Sequence, residues 1–105
     1  MIEVLLMQVT THPADLCPTH EPKYRALTIN WYEKVESLAA KYGVKFLGSY
    51  DDHPAHTVYV LYDTPSMDNF MKLSMEPEFA APMNFCSGRV FPVFDHKTTL
   101  ALIRK

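Results

Sequence analysis

The chain has 105 residues, of which 48% are hydrophobic and 21% charged, and its formal net charge is −2. This length and composition predict a single domain over residues 1–105 that buries a core without disulfides or a structural metal. The basic residues are scattered and no apolar run reaches membrane-spanning length, which argues against nucleic-acid and membrane partners. The N-terminus lacks a basic leader, so we expect a cytoplasmic protein.

The first 42 residues predict a strand, a long loop and a helix. The nearly continuous apolar run Ile2 to Thr10 is typical of a central strand that is covered on both sides. Three prolines in the segment Thr11 to Pro22 indicate a loop. An apolar stripe at helical spacing then predicts a helix from about Pro22 to Tyr42, with Thr19 or His20 as its N-cap.

The middle of the chain predicts a β-hairpin. Strands over Val44 to Tyr50 and His56 to Asp63 are joined by a turn at Asp51 to Pro54. The second of these strands has apolar or aromatic residues on both faces, so we expect both faces to be covered.

The last third predicts a second helix and a fourth strand. Ser66 is a suitable N-cap, and Met67, Phe70 and Met71 give the apolar stripe of the helix, which Pro77 ends near Met75. Arg89 to Phe94 forms the fourth strand, where Pro92 indicates an edge position. For Asp95 to Lys105 two alternatives remain: a short helix capped by Asp95, or a strand.

The resulting order, β-α-β-β-α-β, is that of an α+β ferredoxin-like domain. Two helices should cover one face of a four-stranded antiparallel sheet, with the first and third strands in its centre. The other face has no element left to cover it, although the third strand is apolar there as well. We therefore predict a homodimer that forms through sheet-to-sheet packing.

The order of elements, the segment LGSYDDHPAHTVYVLYDTPSMDNFMKL and the closing GRVFPVFD resemble the dimeric α+β barrel superfamily. More narrowly, residues 26–95 are similar to a family of small uncharacterised domains within it. The resemblance implies the ferredoxin-like fold and the dimer. Relatives include cofactor-independent monooxygenases, haem-degrading enzymes, isomerases, dehalogenases and non-catalytic ligand binders, so the superfamily fixes no chemistry.

The long loop contains the candidate metal ligands His12, Cys17 and His20. Imidazole and thiolate are zinc-type ligands, and a loop can wrap around an ion. The spacing matches no established structural-zinc pattern, and the alternative is a polar loop shaped by its prolines.

The hairpin contains Asp51, Asp52, His53 and His56. A carboxylate beside a histidine can orient the ring and make it a general base. Asp, His and Pro are also common in turns for backbone reasons, so solvated turn residues are the alternative. Of the four, His56 is the predicted catalytic residue because it begins a strand and can point into the fold.

The many aromatic residues can line a pocket between helices and sheet, or simply fill the core. Asn30, Trp31 and Tyr59 are the candidate ligand-binding residues, by residue type alone. No glycine-rich phosphate loop is present in the sequence, and we predict no organic cofactor.

The leading functional hypothesis is a small-molecule-binding protein of the dimeric α+β barrel type. Cofactor-independent oxygenation or isomerisation of an apolar or aromatic substrate is its candidate chemistry, and whether the protein is an enzyme is left open. The alternatives are a non-catalytic structural or interaction protein and a metal-binding protein that uses the loop with His12, Cys17 and His20.

Overall fold

The computed structural model describes residues 4–104, which form a four-stranded antiparallel sheet with helices on one face. The strands are β1 (Val4–Thr11), β2 (Lys45–Asp52), β3 (Thr57–Thr64) and β4 (Ser87–Pro92), in the spatial order β2-β3-β1-β4. The helices are α1 (Pro22–Lys41), α2 (Met67–Ser74), α3 (Pro77–Ala80) and α4 (His96–Ile103). The ferredoxin-like order and the central positions of β1 and β3 are confirmed. The predicted start of β1 at Ile2 lies outside the described residues.

The edge position of Pro92 is also confirmed. It ends β4, which within the described residues pairs only with β1, where Pro92 lies opposite Leu6. An edge strand tolerates proline because the missing N–H is not needed by a further strand. None of the helices in residues 4–104 is long and apolar enough to cross a membrane.

Helix α1 begins at Pro22, as predicted, but its N-cap is Glu21 rather than Thr19 or His20. The Glu21 carboxylate accepts a hydrogen bond from the backbone N–H of Lys23, which would otherwise lack an intrahelical partner. Proline at the first helical position needs no such partner. The cap therefore sits directly next to the proline and not one or two residues earlier.

The hairpin turn lies two residues further along the chain than predicted. Asp51 and Asp52 belong to β2, and β3 starts at Thr57, so His56 is a turn residue and not the first residue of the strand. The Asp52 carboxylate accepts from the Ala55 N–H, which fixes a tight turn over residues 53–56. His56 has a positive φ of 51° there.

Helix α2 is capped by Ser66, whose hydroxyl accepts from the Asn69 N–H, as predicted. The predicted stripe is wrong at two of its positions, because Met67 and Met71 are exposed. Phe70 and Leu73 are the buried residues of the helix. Phe70 and Leu73, which are three residues apart, pack into the core, and the two methionines lie on the flanks of the helix.

Helix α4 resolves the alternative that the sequence left open near the C-terminus. The Asp95 carboxylate accepts a hydrogen bond of 2.7 Å from the Thr98 N–H, so it acts as a helix cap. All residues of this helix are exposed.

The core lies between the helices and one face of the sheet. In β3, Val60 and Tyr62 point into it and are almost fully buried, whereas Tyr59 is 39% exposed. Because side chains alternate along a strand, Tyr59 and Leu61 point to the opposite face. The strand pairing brings Val9 opposite Tyr59 on that face. No helix within residues 4–104 packs over it, so it is called the open face below.

Candidate functional site

A cavity of about 650 Å³ opens between α1, the sheet and the segment around residues 82–86. Its walls are mostly apolar and are formed in part by Ile29, Trp31, Val58, Val60, Phe79 and Phe85. Its polar end contains His12, Cys17 and His56. This combination of apolar walls and a few converging polar groups is typical of small-molecule sites.

The strand register brings the two histidines of the polar end together. Thr11 at the end of β1 pairs with Thr57 at the start of β3. The next residue on one side is His12 and the preceding residue on the other is His56. The ladder continues between them, since the His12 N–H donates to the His56 carbonyl oxygen at 3.2 Å.

Cys17 reaches the same place through a short 3-10 turn over Ala14–Leu16. The Cys17 N–H donates to the Ala14 carbonyl oxygen and closes the turn, which folds the loop back over the end of β1. Cys17 is buried, with 7% of its surface exposed. One possible ligand atom from each of His12, Cys17 and His56 lies within 4.8 Å of the others.

The His12 ring sits in an environment that disfavours its charged form. Burial lowers the pKa of His12 from its usual range, and the nearby His56 lowers the pKa further. The ring is therefore mainly neutral at pH 7. Its Nε2 atom is buried without a hydrogen-bond partner in the described part of the chain.

A tyrosine–carboxylate pair forms another polar part of the cavity wall. The Tyr32 hydroxyl donates to Asp51 Oδ1 at 3.1 Å and connects α1 to the end of β2. Burial is the main cause that raises the pKa of Tyr32 to about 12. The phenol therefore stays protonated and serves as a hydrogen-bond donor at neutral pH.

Of the three candidate ligand-binding residues, one lines the cavity and two do not. Trp31 lines the cavity, and its indole N–H is already used in a 3.1 Å hydrogen bond to the Phe79 carbonyl oxygen. Asn30 does not line the cavity, because its side-chain amide donates to Glu78. Tyr59 lies on the open face. Of these residues, only Trp31 can contact a ligand in this cavity.

The structure brings two of the predicted metal ligands together with the predicted general base, in a group that differs from both predicted sites. His20 is exposed and lies outside the group formed by His12 and Cys17. His56 occupies the third position, although the sequence analysis assigned it to a separate site on the hairpin. Antiparallel pairing of the end of β1 with the start of β3 is the signal that could have revealed this contact.

Cys86 also lines the cavity, and it is a free thiol. Burial raises the pKa of Cys86 to about 11, so the group stays protonated at neutral pH. A nucleophilic role would require the thiolate. Cys86 therefore contributes a small, weakly polar surface to the cavity.

No protein-family model and no curated protein sequence matches the chain. Solved structures, by contrast, are similar over almost its whole length. SnoaB, a cofactor-independent oxygenase from Streptomyces nogalater, has a TM-score of 0.57 at 11% identity, covering 91% of this chain and 95% of its own. Rv0793 from Mycobacterium tuberculosis has a TM-score of 0.56 at 8% identity, covering 90% and 98%. An uncharacterised NIPSNAP domain protein from Burkholderia xenovorans has a TM-score of 0.53 at 10% identity, covering 90% and 96%.

The chain shares the α+β ferredoxin-like fold of these solved structures. The resemblance read from the sequence is thereby confirmed at the level of the fold. Identities of 8–11% carry no information about substrate or catalytic residues. In this fold, the cavity lies between the helices and the sheet, on the side opposite the open face.

Proposed function

We propose that the protein binds an apolar or aromatic small molecule in the cavity between α1 and the sheet. The observation that carries this proposal is the cavity itself, with mostly apolar walls and a few polar groups. A volume of about 650 Å³ is in the range of small-molecule sites and holds a ligand of two or three fused rings. The cavity favours ligand binding over the alternative of a structural protein whose aromatics only fill the core.

The ligand would lie with its rings against Trp31 and Val60 and direct a polar group toward His12 and His56. The neutral His12 ring can accept or donate one hydrogen bond there, depending on its tautomer. Binding of this kind needs a hydroxyl or carbonyl group at one end of the ligand.

The test uses 1-naphthol, which combines two fused rings with one hydroxyl, and follows the protein by ¹H–¹⁵N correlation spectra. We expect saturable shifts for amides around Thr28, a cavity-lining residue of α1. Thr28→Trp fills the space and should abolish these shifts. Thr28→Val has nearly the volume of threonine and is the matched control that should bind. Shifts confined to the open face, or unchanged binding by Thr28→Trp, would contradict the proposal.

The second candidate function is cofactor-independent oxygenation, and the histidine pair at the cavity end favours it. His56 would accept the proton of an activated methylene group, and the carbanion would react with O₂. The methylene becomes a carbonyl with one oxygen atom of O₂, and the other leaves as water with the two hydrogens. SnoaB, which shares the fold, is a cofactor-independent oxygenase, and this supports the candidate as an analogy of fold.

The oxygenation candidate is tested by O₂ uptake with 2-tetralone, a bicyclic ketone that has an acidic methylene. Loss of uptake in His56→Gln, with Thr28→Val as an active control, would support His56 as the base. Equal uptake by His56→Gln and the unchanged protein would remove that assignment.

We also propose that the protein is a homodimer that forms through the open faces of two sheets. Apolar side chains on this face include Met7, Val9 and Leu61 of the central strands and Phe91 of the edge strand β4. An uncovered apolar patch of this kind usually marks an interface. A two-fold axis would let the same face cover itself, as closed dimers require.

A further inference from the structure

The polar end of the cavity has the composition of a metal site. His12, Cys17 and His56 each contribute one atom to a common space, and these atoms lie within 4.8 Å of one another. Two imidazoles and one thiolate suit Zn²⁺, and three protein ligands with an open fourth position are typical of catalytic zinc sites. We propose that these three side chains bind one Zn²⁺ ion, with the open coordination position facing the cavity.

The distances allow such a site after small side-chain movements. Zinc–nitrogen bonds of about 2.0–2.1 Å and zinc–sulfur bonds of about 2.3 Å put tetrahedral ligand atoms roughly 3.3–3.6 Å apart. From a separation of 4.8 Å, the atoms of the three residues would have to approach one another by roughly 1.2–1.5 Å. Each residue lies in a connection rather than inside a strand or helix, so rotation of the side chains can provide this movement.

An unsatisfied ring nitrogen of His12 independently supports the proposed metal site. Its Nε2 atom is buried and has no hydrogen-bond partner in residues 4–104. Buried polar atoms in native proteins nearly always have a partner, and exceptions need an explanation such as an ion. An imidazole nitrogen with a free lone pair is the group through which histidine binds metals.

The surroundings of Cys17 are suitable for a ligand thiolate. The Thr19 hydroxyl lies 3.1 Å from its sulfur and can donate a hydrogen bond to it. Partners of this kind orient a metal ligand and adjust its basicity. Because Cys17 is buried, the bound ion would be shielded from solvent except through the cavity.

The metal proposal stands apart from the proposed ligand binding. The ion would act as a Lewis acid toward the oxygen of any molecule in the cavity. The lone pair of His56 that binds an ion is no longer available to accept a proton, so zinc binding and the base role exclude each other at that nitrogen. Loss of metal binding would leave the apolar walls that hold the rings of 1-naphthol in place, so the metal proposal can fail while the ligand-binding proposal stands.

The experiment uses Co²⁺ as a spectroscopic substitute for Zn²⁺. The full chain is purified without a polyhistidine tag, stripped with a chelator and titrated with CoCl₂. We expect a thiolate-to-cobalt charge-transfer band that saturates at one ion per chain and disappears when Zn²⁺ is added. Cys17→Ser should lose the band, and His56→Gln should weaken Co²⁺ binding by more than about tenfold, since ligand loss exceeds the cost of losing an outer partner.

His20→Gln is the matched control. His20 is three residues from Cys17 and is exposed, but it lies outside the group of three, so this variant should bind Co²⁺ as the unchanged protein does. Absence of the band in the unchanged protein would overturn the proposal, and so would full Co²⁺ binding by His56→Gln. If Cys17→Ser does not fold, His56→Gln and His12→Gln still decide the question, because a given Zn²⁺ concentration should raise the melting temperature of the unchanged protein clearly more than that of either variant.

Discussion

The His12 and His56 rings meet edge to face, with their centroids 5.2 Å apart and their planes at 71°. Forty-four positions separate the two residues in the sequence. The contact exists because the β1–β3 ladder ends between them, and His56 is held beside His12 by a turn in which its φ is positive.

The backbone of His56 predicts an unusual ranking of substitutions. A φ of 51° is unfavourable for residues with a Cβ atom, by about 1–2 kcal/mol relative to glycine. His56→Gly should therefore be more stable than His56→Ala by about 1 kcal/mol, although both lose the imidazole. Urea unfolding of the two variants measures the difference. Equal stability, or a more stable alanine variant, would mean that the turn relaxes to a negative φ.

The unsatisfied hydroxyl of Thr28 predicts that replacement of this residue by valine stabilises the protein. Its Oγ1 is buried without a hydrogen-bond partner in the described residues, whereas that of Thr64 donates to the Ser66 carbonyl oxygen at 2.8 Å. Thr28→Val should raise the free energy of unfolding by about 1 kcal/mol because it removes an unsatisfied polar atom. Thr64→Val should lower it by about 1 kcal/mol, because the Ser66 carbonyl oxygen then keeps only the longer hydrogen bond of 3.4 Å from the Phe70 N–H. A loss of stability in Thr28→Val similar to that in Thr64→Val would contradict this assignment.

The open face predicts the oligomeric state. The unchanged protein should sediment as a dimer at micromolar concentration, and Leu61→Lys should sediment as a monomer because it places a charge in the centre of the apolar face. Met75→Lys is the control, since Met75 is 81% exposed at the end of α2 and away from the sheet. A monomeric unchanged protein, or a dimeric Leu61→Lys variant, would exclude the sheet-to-sheet dimer.

The hydrogen bonds of the Glu76 carboxylate predict that part of the free energy of unfolding is lost at acidic pH. Its carboxylate accepts hydrogen bonds from the Tyr42 hydroxyl and from Lys41 Nζ, and these bonds lower the pKa of Glu76 from its usual value. A lowered pKa in the folded state stabilises the protein fully above the unfolded value of about 4.3. The stabilisation is lost as the pH falls through the lower pKa of the folded protein.

Glu76→Gln should therefore lower the melting temperature by a few degrees at pH 7, and the difference from the unchanged protein should shrink toward pH 3. Thermal unfolding followed by circular dichroism between pH 3 and pH 7 measures both effects. Substitution of the exposed Glu33 by Gln is the control and should have little effect at either end. A constant difference over the whole range would show that the charge of Glu76 is not involved.

Gly88 predicts a steric limit at the β1–β4 contact. A Cβ atom at this position would lie 2.2 Å from the Val9 carbonyl oxygen and 2.9 Å from Thr10 Cα. Gly88→Ala should lower the free energy of unfolding by about 1–3 kcal/mol, because the edge strand must move away from β1. Ser87→Ala, at the neighbouring exposed position, should change it by less than about 0.5 kcal/mol. Similar stabilities of the two variants would mean that β4 adapts without loss.

Local patterns in the sequence determined the order of the elements and several of their ends. Alternation in β3, the Ser66 cap and the edge position of Pro92 follow from the local properties of these residues, so the sequence predicted them correctly. The Asp95 cap was one of two alternatives that the sequence left open. The hairpin turn was misplaced because the Asp52 carboxylate captures the Ala55 N–H, and turn residues alone do not show which aspartate does so.

Only the tertiary structure shows which residues form the site. His12, Cys17 and His56 share one end of the cavity, while Tyr59 points to the open face and the Asn30 amide is used by Glu78. These outcomes depend on the register between distant strands and on the path of a proline-rich loop. Neither is encoded in the spacing of residues along the chain, because both are fixed by long-range pairing and packing. The sequence thus showed which residues can bind a metal or transfer a proton. Their grouping into one site could be seen only in the folded structure.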